Sequence, residues 1–330
     1  MTMGSIRFAL LLSVAAGLAC TPSGGYRITP VPVDQTLEER VVIRESFLPA
    51  PKVAIVDIQG LISDEAESGL LRPPGENPAS LLTEKLDLAA RDPKVKAVVL
   101  RINSPGGTVT ASDIMYQEIL RFRTTTNKPV VAMFLDVAAS GAYYAACAAD
   151  EIVAERTTVT GSIGVIMQTV SLAGALQKLG VKTDAITSGP MKDAGSPLRE
   201  MTAAERTYFQ GIVDNLYQRF VEVVKAGRPK IEAAALPTIA DGRVYTAPQA
   251  MECGLIDHMG TLRDAFAIAK GRAGVKVANG VLYGRPLSWK GSVYADAPDD
   301  RGGLTVNLLS INGPRGWTST PRFLYLWTLE

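Results

Sequence analysis

Histidine is almost absent from the chain, which restricts the acid–base chemistry open to it. Only one of the 330 residues is histidine, His258, and it follows the run Gly-Leu-Ile-Asp at 254–257. A serine nucleophile needs a neighbour that accepts its proton, and a lysine kept neutral by burial can do so without imidazole. The scarcity of histidine therefore favours serine–lysine chemistry, and we interpret His258 as a surface residue.

Cysteine is scarce as well, with three residues in the whole chain. Cys147 and Cys253 lie far apart in the sequence and show no metal-ligand spacing. Two such residues make no disulfide framework. We predict that both are small core residues, whereas Cys20 belongs to the N-terminal segment described below.

Long runs of positive charge are missing too. The 34 Lys and Arg residues nearly balance the 33 Asp and Glu residues, which disfavours nucleic acid as a partner. The phosphate-binding patterns G-x-x-x-x-G-K-[ST] and G-x-G-x-x-G are also absent, which disfavours nucleotide binding. We predict no cofactor and no nucleic-acid partner. The hydrophobic content of 47% is ample for a buried core.

The apolar run at 8–19 is too short to span a membrane comfortably and fits the hydrophobic core of a signal peptide. Cys20 ends this run and precedes a polar stretch, which resembles the cleavage site of a bacterial lipoprotein, although Gly17 stands where such sites usually carry leucine. We predict a signal peptide at residues 1–20, lipidation of Cys20, and a membrane-anchored body outside the cytoplasm in the bacterial cell envelope. An uncleaved anchor, or an ordinary signal peptide with an incidental cysteine, is the alternative.

The rest of the chain divides into three parts by composition. Residues 21–51 are rich in proline and charge, which is typical of a flexible tether. Residues 52–274 are predicted to form the folded body, a serine peptidase domain by the resemblance described below. Residues 275–330 gain glycine, proline and aspartate and are predicted to be an extension of unknown role, whose aromatic end at 322–327 docks as a strand.

Strands and helices alternate through the folded body, which predicts an α/β fold with mostly parallel strand pairing. The long helix expected at 202–226 carries an apolar stripe that belongs to the core or to a subunit interface. The other predicted elements are strands at 53–58, 95–102, 130–135 and 162–167, helices at 81–90 and 112–122, and a short helix from Ser140.

Two motifs offer the parts of an acyl-transfer site. Gly106 and Gly107 lie in Asn-Ser-Pro-Gly-Gly-Thr between a strand and a helix, where glycine amides can approach a developing oxyanion, or where a tight turn simply needs positive φ. Ser140 follows a strand and opens a helix of small residues. A nucleophile fits this place, and so does an ordinary N-capping serine.

Two further residues gain interest only in combination with these motifs. Ser162, in Thr-Gly-Ser-Ile-Gly, has a hydroxyl that can hold a lysine amine toward a nucleophile, although a glycine-pinned turn explains the segment equally well. Lys192 lies in a loop rich in glycine and proline, where most lysines are solvated surface charges.

Taken together, six motifs resemble the signal peptide peptidase A family, in the same order, over roughly residues 52–270. The motifs are Asn-Ser-Pro-Gly-Gly at 103–107, the run at 136–144, Thr-Gly-Ser-Ile-Gly at 160–164, Lys-Asp at 192–193, Asp-Gly-Arg-Val-Tyr at 241–245 and Gly-Leu-Ile-Asp at 254–257. The resemblance implies a ClpP/crotonase-like α/β fold of repeated β-β-α units with a single catalytic repeat. It assigns the nucleophile to Ser140, the general base to Lys192, the positioning of that lysine to Ser162, and the oxyanion-hole turn to Gly106 and Gly107.

The resemblance also implies a function. A membrane-associated serine endopeptidase would hydrolyse hydrophobic peptides, in particular remnant signal peptides after export. Family members form homo-oligomeric rings or domes, and in short members the two dyad residues come from neighbouring subunits. Two alternatives stay open: a catalytically silent lipoprotein scaffold that binds peptides, and a crotonase-like acyl-CoA enzyme. The serine and lysine argue against the second, because crotonases rely on carboxylates.

Overall fold

The computed structural model describes residues 36–63, 77–285 and 323–327, and within them the chain forms strands β1–β12 and helices α1–α8. The strands are Glu38–Ile43 (β1), Lys52–Gln59 (β2), Val95–Ser104 (β3), Gly106–Thr108 (β4), Val130–Ala139 (β5), Glu151–Ala154 (β6), Val159–Gly161 (β7), Ile166–Met167 (β8), Val244–Thr246 (β9), His258–Met259 (β10), Asn279–Gly284 (β11) and Phe323–Leu326 (β12). The helices are Pro78–Arg91 (α1), Val109–Thr126 (α2), Gly141–Ala146 (α3), Ala173–Lys178 (α4), Ala203–Gly227 (α5), Leu236–Ile239 (α6), Ala247–Glu252 (α7) and Leu262–Arg272 (α8).

The main sheet is mostly parallel, in the order β1-β11-β2-β3-β5-β6-β10. Its central strands are buried on both faces, so they are continuous apolar runs without a polar alternation. Strand β5 has two sets of neighbours: its first half pairs with β6, and residues 137–139 pair with β7. Ser140 follows this second half directly. The candidate site therefore lies just beyond the point where the neighbour of β5 changes from β6 to β7.

Helices cover both faces of this sheet. One face packs against α1, α2, α3 and the C-terminal part of α5, and it holds the larger apolar cluster, which includes Leu86, Ile119 and Phe220. The other face packs against α8. Alternate residues of β3 enter the two clusters, with Val98 in one and Val99 in the other, as the period of two in a strand requires. The α/β architecture predicted from the sequence is confirmed.

A smaller, antiparallel sheet lies beside the first, in the order β4-β12-β8. It joins the glycine turn after β3 to the last described residues of the chain. Strand β12 pairs with β4 on one side and with β8 on the other. The prediction of a docked strand at 322–327 is confirmed for 323–326, and the strand lies against the turn that carries Gly106 and Gly107.

The sheet extends beyond the body predicted at 52–274. Strand β1 lies inside the range 21–51 predicted as a tether, and it pairs antiparallel with β11, which lies inside the range 275–330. Strand β11 in turn pairs parallel with β2. Because partners about 240 residues apart supply the pairing, neither strand shows a local signal strong enough to separate it from its proline-rich surroundings.

Two local expectations differ from the structure. The single strand predicted at 162–167 is wrong: β7 ends at Gly161 and β8 begins at Ile166, because Gly161 and Ser162 both have positive φ (85° and 50°) and turn the chain. Helix α5 has its predicted bounds within one residue, and its N-terminus has a capping box formed by Thr202 and Glu205. Its apolar stripe is buried only toward the C-terminus, at Phe220 and Val223.

Within the described ranges, no helix has the length and apolar character required to cross a bilayer. The predicted signal peptide at 1–20 and the lipidation of Cys20 lie outside these ranges. Cys147 is buried, as predicted, whereas Cys253 is only half-buried. His258 is exposed, as predicted, and its Nε2 lies 2.7 Å from Glu151 Oε2.

Candidate active site

Ser140 occupies a strained backbone position between β5 and α3. Its φ and ψ are 52° and −116°, a conformation that glycine adopts far more readily than serine. Neighbours on both sides fix it: Ser140 N donates to Gly161 O (2.8 Å), and Tyr144 N donates to Ser140 O (2.9 Å). Strain of this kind persists only where the surroundings impose it, and it is concentrated at functional sites.

The side chain of Ser140 is buried and uncommitted. The residue is 1% exposed, and Oγ has no hydrogen-bond partner among the described residues. Although Ser140 is the N-cap residue of α3 by position, its side chain makes no capping hydrogen bond. A buried hydroxyl without a partner costs stability, so the N-cap alternative does not explain this serine.

The glycine turn after β3 is held by Ile62. Ile62 N donates to Gly106 O (2.8 Å), and Thr108 N donates to Ile62 O (2.9 Å). These bonds leave the N–H and C=O of Gly107 facing away from Ile62. No other residue fits here: Gly106 has φ of 100°, and a Cβ on Gly107 would stand 1.7 Å from Ile62 O. The turn therefore requires glycine for its positive φ at 106 and for close backbone approach at 107.

The amide of Gly141 lies next to this turn. Gly141 N is 2.7 Å from the position of a Cβ on Gly106, and Gly107 N is 3.2 Å from the position of a Cβ on Gly141. The backbone amides of residues 107 and 141 thus lie close together beside the buried serine. Such a pair of preorganised donors is what an oxyanion hole needs. The sequence motif indicated Gly106 and Gly107 but not Gly141, whose position directly after the candidate nucleophile was the available signal.

Ser162 follows the strand that neighbours Ser140. Gly161 accepts the backbone hydrogen bond of Ser140, and Ser162 N donates to Arg243 O at 2.8 Å. Ser162 is 7% exposed, and no hydrogen bond of its hydroxyl occurs within the described part of the chain. The pairing of β7 with β5 therefore brings Ser162 close to Ser140, the candidate nucleophile, and the Ser162 hydroxyl makes no hydrogen bond there.

Lys192 is not joined to Ser140 by a hydrogen bond. It lies in a turn at 191–195, its side chain is exposed, and its backbone N donates to Gly189 O at 3.1 Å. The next residue, Asp193, binds Arg199 through Nε and Oδ2 at 2.8 Å, and Arg199 also binds Glu205 at the start of α5. The hydrogen bond from Arg199 lowers the pKa of Glu205 to about 2. This ion-pair network attaches the turn carrying Lys192 to α5.

The segment around Lys192 has an unusual surface. Eight of the sixteen exposed large apolar residues in the described ranges fall between positions 166 and 198. These are Ile166, Val170, Leu172, Leu179, Val181, Ile186, Met191 and Leu198. We call this segment the arm. A concentration of exposed apolar side chains in one segment is typical of an interaction site.

Comparison with known proteins identifies the class of protein to which this chain belongs. The profile of Peptidase family S49 matches residues 123–276, and the profile of Clp protease matches residues 52–192. These matches place the protein among peptidases with a Clp protease-like α/β fold, which confirms the fold class predicted from the sequence.

Individual relatives narrow the class to one family. A protein of Enterococcus faecium provisionally named signal peptide peptidase SppA is 33% identical over 279 residues, which cover 83% of this chain and 80% of the relative. A protein of Synechocystis provisionally named a protease is 36% identical over 224 residues, covering 68% of this chain and 75% of the relative. A solved structure of a membrane-bound stomatin-specific protease with a substrate peptide has a TM-score of 0.42 and 17% identity, covering 68% of this chain and 81% of that chain. The chain belongs to peptidase family S49, together with signal peptide peptidase A.

Proposed function

We propose that this S49 peptidase is a membrane-associated serine endopeptidase that uses Ser140 as nucleophile and Lys192 as general base. The observation that carries the proposal is the buried, unpartnered hydroxyl of Ser140 on a strained backbone, beside the neighbouring amides of Gly107 and Gly141. A serine in this state lacks only a proton acceptor.

We further propose that the base comes from a neighbouring subunit. Within the described part of one chain, Ser140 Oγ has no partner, while Lys192 is exposed on the arm. An arm rich in exposed apolar residues is suited to pack on a second copy, and a repeated head-to-tail contact closes into a ring. Packing would bring the Lys192 amine to the buried Ser140, where a lysine can serve as the proton acceptor.

In the proposed reaction, the Lys192 amine takes the Ser140 proton as Oγ attacks a peptide carbonyl. The amides of Gly107 and Gly141 donate to the resulting oxyanion, while Gly106 shapes the turn that aims one of them. Ser162, one residue past the strand that holds Ser140, orients the lysine amine. Water then releases the acyl group from Ser140.

The proposed substrates are hydrophobic peptides, in particular remnant signal peptides left in the membrane after export. The name of the Enterococcus relative supports this substrate class. A signal peptide at 1–20 with lipid on Cys20 would tether the body to the bilayer in the cell envelope, where membrane-embedded peptides have a high effective concentration. No cofactor is needed for this chemistry.

The decisive experiment measures hydrolysis of a fluorogenic hydrophobic peptide by the full chain and by Ser140→Ala and Lys192→Ala. Lys182→Ala, which changes another exposed lysine of the arm, is the matched control and should keep full activity. Loss of activity in the two dyad variants alone supports the serine–lysine pair. Absence of turnover in the wild-type oligomer would instead favour the silent peptide-binding scaffold.

Co-expression of the two inactive variants tests whether the dyad forms between subunits. In a ring with shared sites, a subunit carrying Ser140 meets a neighbour carrying Lys192 at about one quarter of the sites. The mixed oligomer should therefore regain about a quarter of wild-type activity. A mixture as inactive as either variant would contradict sharing of the dyad and place both residues within one subunit.

A further inference from the structure

The turn that carries Lys192 has almost no apolar packing of its own. Between residues 164 and 204, a range that the structure describes without a gap, Gly195 is the only buried residue. Helix α4, which lies in the same range, buries none of its residues. A segment with so few buried contacts is only weakly stabilised by packing. The orientation of the turn at 191–195 therefore depends on polar contacts.

Arg199 supplies polar contacts to this turn. Its guanidinium binds the Asp193 carboxylate through two hydrogen bonds, from Nε to Oδ2 at 2.8 Å and from Nη2 to Oδ1 at 2.9 Å. Nη2 also donates to the backbone oxygen of Asp193 at 3.2 Å. A bidentate pair of arginine and carboxylate fixes orientation as well as distance. Because Asp193 directly follows Lys192, the pair also fixes the direction in which the Lys192 backbone leaves the turn.

The same guanidinium binds the beginning of helix α5. Nη1 donates to Glu205 Oε2 at 3.0 Å, and this oxygen also accepts from Thr202 N at 2.8 Å in the capping box. Glu205 is 2% exposed, and the next buried residue of α5 is Phe220, near the C-terminus of the helix. The connection from the core to Lys192 thus runs along α5, through the Arg199 guanidinium, to Asp193.

The charges of this network persist at neutral and weakly acidic pH. The hydrogen bond from Arg199 lowers the pKa of Asp193 below its ordinary value and lowers the pKa of Glu205 to about 2. Arginine itself does not deprotonate in proteins. A lysine at this position would keep the charge, but its single ammonium lacks the planar fork that binds two carboxylates at once.

We propose that Arg199 is a positioning residue of this peptidase, which holds the turn at 191–195 in the orientation that lets the Lys192 amine reach the Ser140 hydroxyl. This rests on the proposed function. In this role Arg199 does not touch the substrate or the reacting atoms, and it acts only through Lys192. Because the whole network lies in the chain that carries Lys192, the role is the same whether the lysine serves its own chain or a neighbouring subunit.

The test compares full-chain Arg199→Gln with the wild type in hydrolysis of a fluorogenic hydrophobic peptide. The value of kcat should fall about 10- to 100-fold, because displacement of a catalytic group by about 1 Å has an effect of this size. KM should stay within about twofold of the wild-type value, because Arg199 is not part of the peptide-binding cleft. Arg199→Lys should recover only part of the loss. Arg206→Gln, which changes an exposed arginine in the first turn of α5, is the matched control and should keep full activity.

A double variant separates positioning from a merely structural role. The rate of Ser140 labelling by a fluorophosphonate is measured for Lys192→Ala and for Lys192→Ala combined with Arg199→Gln, at a probe concentration and incubation time at which Lys192→Ala is labelled. If Arg199 acts through Lys192, its loss has no further effect once the amine is gone, and the two rates should agree within about twofold. A larger decrease in the double variant would show that Arg199 supports the fold or the oligomer, and it would overturn the proposal.

The single variants separate this inference from the proposed function. If Lys192→Ala is inactive while Arg199→Gln has the wild-type kcat, the positioning role is wrong and the serine–lysine assignment stands. A higher KM with unchanged kcat in Arg199→Gln would also overturn the positioning role. If Lys192→Ala is as active as the wild type, the proposed function itself fails, and the role of Arg199 fails with it.

Discussion

Removal of the Ser140 hydroxyl should make the protein more stable while it abolishes activity. The reasoning depends on the state of this side chain: Oγ is buried without a partner, and the backbone has positive φ. At an ordinary N-cap the change in stability has the opposite sign, because replacement of a capping serine by alanine lowers the free energy of unfolding by about 0.5–2 kcal/mol. The sign of one stability change therefore separates a nucleophile from a cap.

The magnitude follows from two contributions. Ser140→Ala removes an unsatisfied buried hydroxyl, which gains about 1–3 kcal/mol, and leaves a small void whose cost is on the order of a few tenths of a kcal/mol. We expect a net gain of about 1–2 kcal/mol. Ser140→Gly also relieves a backbone strain of about 1–3 kcal/mol, offset by about 0.5–1 kcal/mol of added chain entropy in the unfolded state. The expected order of stability is Ser140→Gly, Ser140→Ala, wild type.

Urea unfolding measures this order through the transition midpoint at constant slope. All variants should be measured as the same full chain, so that the substitution is the only difference between them. Thr202→Ala is the matched control, because Thr202 forms a genuine capping box on α5 and its loss should cost about 1 kcal/mol. A destabilised Ser140→Ala protein would refute the reasoning, since it would show that the hydroxyl is satisfied in the folded state.

Three further changes have defined outcomes. Asp57→Ala removes the buried carboxylate whose Oδ1 lies 2.6 Å from Arg101 Nε, and should cost about 3–5 kcal/mol in urea unfolding. Gly107→Ala places a Cβ 1.7 Å from Ile62 O and should abolish peptide hydrolysis by displacing the proposed oxyanion donor. Burial raises the pKa of the Cys147 thiol to about 12. The stability that the buried, protonated thiol contributes is therefore complete below the pKa of an unfolded thiol, about 8.5, and is lost as pH rises from there toward 12. In urea unfolding, the wild type should lose stability relative to Cys147→Ala between pH 7 and pH 10.

Each of these predictions has its own check. Glu118→Ala, which removes an exposed partner of Arg121, should change stability by less than about 0.5 kcal/mol, and a loss for Asp57→Ala no larger than this would contradict the buried-pair argument. Gly271→Ala, where no atom lies within 4 Å of the new Cβ, should keep full activity; equal activity in Gly107→Ala would remove Gly107 from the site. A difference for Cys147→Ala that stays constant from pH 7 to pH 10 would contradict the thiol prediction.

Much of the site could be predicted from the sequence because its parts are local. A strand followed by Ser140 and a helix of small residues, and a strand followed by Gly106 and Gly107, are patterns within a few residues. The carboxyl ends of neighbouring parallel strands meet at one edge of a sheet, so both motifs were bound to be close once the alternation of strands and helices was recognised. The order of the motifs was sufficient to indicate the family.

The tertiary structure alone decided how these parts meet. Whether Ser140 caps a helix or stands free depends on the backbone angle that β7 and α3 impose, and the pairing of the Gly107 and Gly141 amides depends on contact between two turns. The docking of β12 against β4 joins residues more than 200 positions apart, by main-chain hydrogen bonds that every sequence can form. Local sequence patterns determine which helices and strands a chain forms, whereas the pairing of distant strands depends on the packing of the whole fold. For this reason the sequence predicted the strand at 322–327 but not its pairing with β4 and β8.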